Sequence, residues 1–414
     1  MSVRFALIKK ELVVPLPIYQ AGYYSRKEPA TAIHDPLNIS CFYLENDEKA
    51  VAVFGLDLLG IYDDYYEKLC ERVQETIKRP DLQIVFSCAH THAAPGFGRM
   101  TGEDLNKDKL LQEIVDKAVA ILIEAPKIAK PATLTYGEKP LDDVGANRRD
   151  KDVKVNTILR TLAFDFEDKK AMVVNFNCHP THMSFRNLLI SKDYQGAAMD
   201  ELLTQGYLPM FLQGACGDIS TRFTRIEQTF EDMARIAHLF AEDIKTVNAD
   251  DVFTVEDFDY QEYTFAIPKK KYEVEAYYKS EISKYEENLA AARGTMPAAE
   301  LRLLETALEG ISVEYQCSTT QDEIVTAIRC GILRLDDKLA MVFLPFELFS
   351  KIADQITAGS KVPHTMIVGY TFDGLGYLPD IASYEKSGYE VLSCTYEKGA
   401  GEKVADRVIA LLNQ

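Results

Sequence analysis

The stretch Phe86-Ser87-Cys88-Ala89-His90-Thr91-His92-Ala93-Ala94-Pro95-Gly96 follows the apolar, β-branched run Leu82 to Phe86. A buried strand is expected to empty here into two histidines one residue apart, then into small residues and a Pro-Gly turn. Only seven histidines occur in 414 residues, so two at one strand end is a concentrated use of them. In an extended segment residues i and i+2 face the same side, so His90 and His92 are expected to address one site. Neutral imidazole is the commonest metal ligand and a frequent acid or base near neutral pH.

The layout repeats. Ala171 to Cys178 reads as another strand and runs into His179-Pro180-Thr181-His182, so four of the seven histidines follow two apolar strands. One such histidine is ordinarily a hydrogen-bonded loop residue, but two clusters point to a shared metal site. Leu208 to Leu212 runs into Gln213-Gly214-Ala215-Cys216-Gly217-Asp218-Ile219-Ser220. Such a small-residue turn lets a substrate approach the backbone and offers N–H groups to an oxyanion. It serves equally as a tight strand-to-helix connection with Asp218 as a cap. Met341 to Leu344 leads to Pro345-Phe346-Glu347, and a carboxylate after such a run is costly to bury unless paired or metal-bound. The Asn147-Arg148-Arg149 loop offers an arginine for a carbonyl or carboxylate. Gly376-Tyr377 and Gly388-Tyr389-Glu390 place two tyrosines in flexible surroundings.

Composition narrows the class. Hydrophobic content of 47% with 27% charged residues is that of a soluble globular chain. A net charge of −18 argues against nucleic acid or an anionic membrane as partner. The N-terminal apolar run is too short for a signal peptide, and no run reaches a membrane span, so a cytoplasmic location is the expectation. The eight cysteines contain no C-x-x-C pair and read as reduced, buried, small apolar residues. A thiolate at Cys88, Cys178 or Cys216 stays open.

Strand-like and helix-like runs alternate through the first 250 or so residues, which predicts an α/β fold with a mixed-sheet core and surrounding helices. Strands are expected at 50–59, 82–86, 132–136, 157–166, 171–177 and 208–212, and helices at 63–78, 105–123, 194–205 and 227–247. The region from Tyr272 to Gly310 is rich in Glu, Lys, Ala and Leu and is broken by Gly294-Thr295-Met296-Pro297. It predicts a helical-hairpin insertion at about 270–312, since Pro suits a helix start. Strands at 323–335 and 339–344 and a terminal helix at 401–412 follow. No Pro/Ser-rich linker interrupts the chain, so a single domain spanning 1–414 is expected.

Taken in order, these motifs resemble the catalytic domain of the neutral/alkaline (non-lysosomal) ceramidase family, as a soluble bacterial-type member. The family's T-H-T-H-S-G-P-G is similar to Ala89 through Gly96, and its I-N-R loop to Ala146-Asn147-Arg148. Its H-P-T-S-M resembles His179 through Met183, and its S-S-D-x-x-G resembles Ser191-Lys192-Asp193-Tyr194-Gln195-Gly196. The small-residue turn resembles Gln213 to Ser220, and P-x-E is similar to Pro345-Phe346-Glu347. The G-Y and R-Y-E segments resemble Gly376-Tyr377 and Gly388-Tyr389-Glu390, and N-T-D-L-G resembles Leu56 through Gly60. The likeness runs over about residues 3 to 395.

The resemblance implies one zinc ion held by His90, His179, Glu347 and Tyr377. It implies His92, Arg148 and Tyr389 beside the reacting group, and Ser220 as a substrate-orienting serine. It further implies metal-assisted hydrolysis of an N-acyl amide, a linear amide of the ceramide type, with a link to sphingolipid metabolism. The chain departs from the family at Ala93-Ala94 and at His182, where the family has Ser-Gly and Ser. No export signal and no counterpart of the family's C-terminal immunoglobulin-like domain are expected from this sequence. The charged 272–310 region differs from the apolar loop expected of an enzyme that draws substrate from a bilayer. A soluble ester, lactone or sugar-derived substrate at the same zinc site is therefore the alternative. A non-catalytic metal-binding protein and a serine hydrolase acting through Ser220 are the others. The partner is a small acyl substrate, with no nucleic acid and no membrane insertion. His₂ with one carboxylate suits zinc but also iron or manganese.

Overall fold

The computed structural model describes residues 3–62, 64–98, 105–320 and 323–414. Three mixed sheets form the core, and each contains one βαβ unit. In the first, strands Ala50–Leu56 and Leu82–Cys88 run parallel across helix Tyr65–Ile77. In the second, Lys169–Phe176 and Tyr207–Gln213 run parallel across helix Asp193–Thr204. In the third, Leu339–Phe343 and His364–Val368 run parallel across helix Ser350–Gly359. Antiparallel strands extend each unit: Asn38–Glu45 and Arg4–Glu11 the first, Ile158–Phe166, Thr133–Pro140 and Asp251–Thr254 the second, Val325–Leu335 and Phe258–Pro268 the third. The fold is mixed α/β, as the alternating pattern predicts.

Two of the parallel strands are buried from end to end and the others over most of their length. Ala50–Leu56 and Leu339–Phe343 have no exposed residue, which is why they read as continuous apolar runs and not as alternating ones. The carboxyl ends of the three parallel pairs are knitted together. Gly369 N–H donates to Gln213 O at 2.9 Å, and Cys88 N–H to Tyr370 O at 3.1 Å. The Asn175 amide donates to both Leu212 O and Ile367 O at 3.0 Å. Ligand-binding residues in open α/β sheets gather at this end of the strands, and here three such ends face one another.

Most expected elements form, with shifted ends. The first helix starts at Tyr65; its expected first residue, Asp63, lies outside the described residues. The second helix runs Lys107–Ile128, past its expected end. The strand expected at 50–59 stops at Leu56, because Asp57 turns to accept hydrogen bonds from Asn38 N–H at 2.9 Å and its side-chain amide at 3.1 Å. The helical hairpin is present as Glu275–Ala292 and Ala298–Thr320, its second helix longer than expected. It packs on the site end of the molecule: Gly310 lies against Tyr389 and Leu392, and Ser25 donates to Glu309 at 3.0 Å. No helix among the described residues is long and apolar enough to cross a membrane.

Candidate metal centre

Each βαβ unit delivers one side chain to a common point. His90 follows Cys88, His179 follows Phe176 and Glu347 follows Phe343. His90 and His179 are 3% and 0% exposed. His90 Nδ1 lies 2.8 Å from Leu59 O, and His179 Nδ1 lies 2.8 Å from Cys216 O. A carbonyl only accepts, so both Nδ1 atoms carry the proton and both Nε2 atoms present a lone pair. The two Nε2 atoms stand 3.3 Å and 3.2 Å from the same oxygen, Glu347 Oε2. Neither His179 Nε2 nor Glu347 Oε2 has a partner in hydrogen-bonding geometry.

Acceptors that meet without a proton between them repel unless a cation sits among them. Tetrahedral zinc with bonds of about 2.0–2.1 Å puts its ligand atoms about 3.3–3.4 Å apart, so the spacing is close to that of a ligand shell. The carbonyls behind Nδ1 are the outer-shell partners that fix a ligating imidazole. Burial works to raise the Glu347 carboxyl, but His90 and His179 outweigh it and hold it well below the usual carboxylate range. Burial lowers His179 to about 4. Burial thus favours neutral His179, the state of an imidazole that binds metal.

Tyr377 pairs with Glu347 in a short parallel ladder, which puts both side chains on one face. Its ring lies 6.3 Å from that of His179 and nearly parallel to it. Arg148 Nη1 donates to Tyr377 Oη at 3.3 Å, and Arg148 Nε lies 3.0 Å from Glu390 Oε1. Burial opposes the Arg148 charge, but Tyr377, Glu390 and Glu347 more than offset it and raise its pKa. The Tyr389 ring meets Tyr377 edge-on at 5.7 Å.

His92 belongs to the cluster but is held differently. Its ring lies 5.0 Å from that of His90 and 5.5 Å from that of His179, and both its nitrogens lack hydrogen-bond partners. One nitrogen from each of His90, His92 and His179 falls within 4.8 Å of the others. Burial, then the neighbouring His90 and His179, hold His92 well below the usual imidazole range. The alternation argument for this pair does not apply. The strand ends at Cys88 and His90 is left-handed, with φ 65°, so a turn and not an extended strand brings the two rings together.

Gly22 presses on the His92 ring: a Cβ there would stand 2.4 Å from Nδ1, and its φ of +94° disfavours any side chain. Gly22→Ala is therefore expected to displace His92 and, with His92 in the catalytic role that the resemblance implies, to lower kcat by about 10-fold or more. Metal content should be unchanged. Kinetics beside zinc analysis checks both statements.

Ser220 is 2% exposed, and its Oγ accepts from Arg222 N–H at 3.2 Å, capping the turn Thr221–Phe223. Asp218 accepts from Ser350 N–H and Ser350 Oγ, both at 2.7 Å, and so pins the helix that follows Glu347. Gly217 allows this approach, since a Cβ there would stand 2.5 Å from Glu347 O. His182 turns away from the cluster, its Nε2 3.3 Å from Asp232 Oδ2. Burial raises Cys88, Cys178 and Cys216, so they stand as thiols.

Three contributors escaped the sequence reading. Tyr370 stacks on His90 at 4.1 Å and touches Cys216 Sγ at 2.9 Å. Glu390 neutralises Arg148 and also faces Arg149 at 3.6 Å. The 20–26 segment wraps His92: Tyr23 meets it edge-on at 4.9 Å, and Arg26 Nη1 donates to His92 O at 2.8 Å. Glu390 stood inside a quoted motif; the 20–26 segment carried no signal.

No family model and no curated protein matches this sequence. Solved structures do share its fold. The neutral ceramidase from Pseudomonas aeruginosa superposes with a TM-score of 0.74 at 18% identity, covering 99% of this chain and 73% of that one. A ceramidase complexed with C2 gives a TM-score of 0.74 at 18% identity, covering 99% of this chain and 74% of that one. The chain thus has the fold found in bacterial neutral ceramidase.

Proposed function

We propose that this chain is a zinc-dependent hydrolase that cleaves an N-acyl amide. His90, His179, Glu347 and Tyr377 would hold the metal, and the described residues would act as one catalytic unit. The observation that carries this reading is the meeting of two Nδ1-anchored imidazoles and a carboxylate oxygen on their lone-pair sides. The fold shared with a neutral ceramidase supports the choice of an amide. When bound, zinc lowers the pKa of a water from about 15.7 toward 7 and polarises an acyl oxygen.

The remaining work falls to the chain. His92, neutral and with unpartnered nitrogens, takes the proton released as water adds to the acyl carbon. It returns that proton to the leaving nitrogen as the C–N bond breaks, giving a carboxylic acid and an amine. Arg148, kept charged and fixed between Tyr377 and Glu390, steadies the oxygen on which negative charge develops. Tyr389 stands beside it as a second donor. Ser220 caps its own turn and positions the segment. The partly buried tyrosines and arginines around the centre favour a soluble substrate over a bilayer lipid.

Metal retention tests the site. Burial favours neutral His179, so a proton competes for it only as pH falls toward about 4. Zinc is expected to stay bound from about pH 8 to about pH 5 and to leave near pH 4, followed by dialysis and metal analysis. Zinc lost on dialysis already at pH 8, or retained equally by His179→Ala, would contradict the assignment.

A further inference from the structure

Arg222 lies in the turn Thr221–Phe223 that follows Ser220, and Arg225 lies just past its end, with Arg225 N–H donating to Thr221 O at 2.9 Å. Arg222 Nη1 donates to Arg148 O at 2.9 Å, and Arg225 Nη1 donates to Thr181 O at 2.8 Å. Those carbonyls belong to the two loops that carry Arg148 and His179. Both arginines are partly exposed, yet burial lowers Arg222 to about 9 and also lowers Arg225. The charge of Arg148 adds to the depression at Arg222, Glu390 opposes it, and Arg225 and Arg302 add smaller amounts; at Arg225 the more distant Tyr23, Asp193 and Asp232 oppose it.

Compensation is uneven. Arg148 has Glu390, and Arg302 has Glu305 and Glu309. Among the described residues no carboxylate lies within ion-pair distance of Arg222 or Arg225. A chain with a net charge of −18 has carboxylates in excess, so two arginines without one beside a reaction centre are an exception to be explained. Packing cations that repel one another costs stability unless an anion joins them. Guanidinium forks suit planar or tetrahedral anionic oxygens.

We propose that Arg222 and Arg225 form a subsite for an anionic oxygen group, carboxylate or phosphate, on the substrate. The substrate class is then an N-acyl compound bearing an acidic group, and not a neutral lipid amide. What is done to the substrate rests on the hydrolase reading; its binding does not.

The probes are N-methanesulfonylglycine, its neutral methyl amide, and N-methanesulfonyl-O-phosphoethanolamine. Their sulfonamide resists hydrolysis. Each is titrated calorimetrically into the purified protein. The acidic probes are expected to bind about 10- to 100-fold tighter than the neutral amide, the size of charge-assisted hydrogen bonds. The tighter of the two names carboxylate or phosphate. Arg222→Gln with Arg225→Gln keeps donors for the two backbone carbonyls and should collapse the preference to about 3-fold or less. Lysine at both positions should restore part of it. Equal binding of acidic and neutral probes, no binding of either acid, or a preference that survives the glutamine pair overturns the subsite. Hydrolysis of N-acetylglycine against its methyl amide separates the two readings. Acid-selective binding with no cleavage of any amide would overturn the hydrolase reading and leave the subsite standing. Cleavage of both amides at equal rates would do the reverse.

Discussion

His179→Ala is expected to strip the protein of its metal and to lower amide hydrolysis by at least about 1,000-fold, or about 4 kcal/mol of transition-state stabilisation. His179 is fully buried, with one nitrogen on a backbone carbonyl and the other 3.2 Å from Glu347. The variant also removes one of the two donors to Cys216 O, which keeps Ile219 N–H at 3.0 Å, a loss of about 0.5–1.5 kcal/mol in stability. A thermal melt in excess chelator separates this folding effect from the loss of metal. A variant that keeps one equivalent of zinc would remove His179 from the ligand set.

His92→Ala is expected to separate binding from chemistry. The substitution should keep the metal but lower kcat by about 10² to 10⁴, the range for a lost general acid–base group. KM should change little. The acid limb of the kcat profile, which in the wild type reports protonation of a buried imidazole, should vanish with it. Burial and the adjacent His90 and His179 lower His92, so the wild-type enzyme should stay active below the ordinary imidazole pKa as pH falls. Loss of metal in His92→Ala would instead make His92 a ligand, which the 4.8 Å histidine cluster geometrically permits.

The fold was legible where burial leaves an unbroken signal. The continuous runs Ala50–Leu56, Leu82–Cys88, Lys169–Phe176 and Leu339–Phe343 announced the parallel strands that carry the site. Edge and flanking strands were harder. Phe258–Pro268 pairs with Val325–Leu335 over its full length, yet it alternates exposed and half-buried residues with acidic ones among them. Its long partner stabilises it, and a local reading cannot see a partner about 70 residues away.

The site divides in the same way. His90, His179 and Glu347 were conspicuous because ionisable residues rarely end apolar strands without a purpose. The groups that orient them are carbonyls of Leu59 and Cys216, which have no side-chain signature. The pairing of Arg148 with Glu390 joins residues more than 240 positions apart, and only the sheet ends bring them together. The left-handed turn at His90 was equally silent, since an ordinary strand end predicts the same sequence.

The central claim is that one metal ion sits where the three βαβ units meet. Anomalous diffraction from crystals grown with zinc, recorded on both sides of the zinc edge, tests it most directly. The expected result is a single strong peak about 2.1 Å from His90 Nε2, His179 Nε2 and a Glu347 oxygen. A peak only at the exposed Glu201, His238 and Glu242 group, or none near Glu347, would contradict the account.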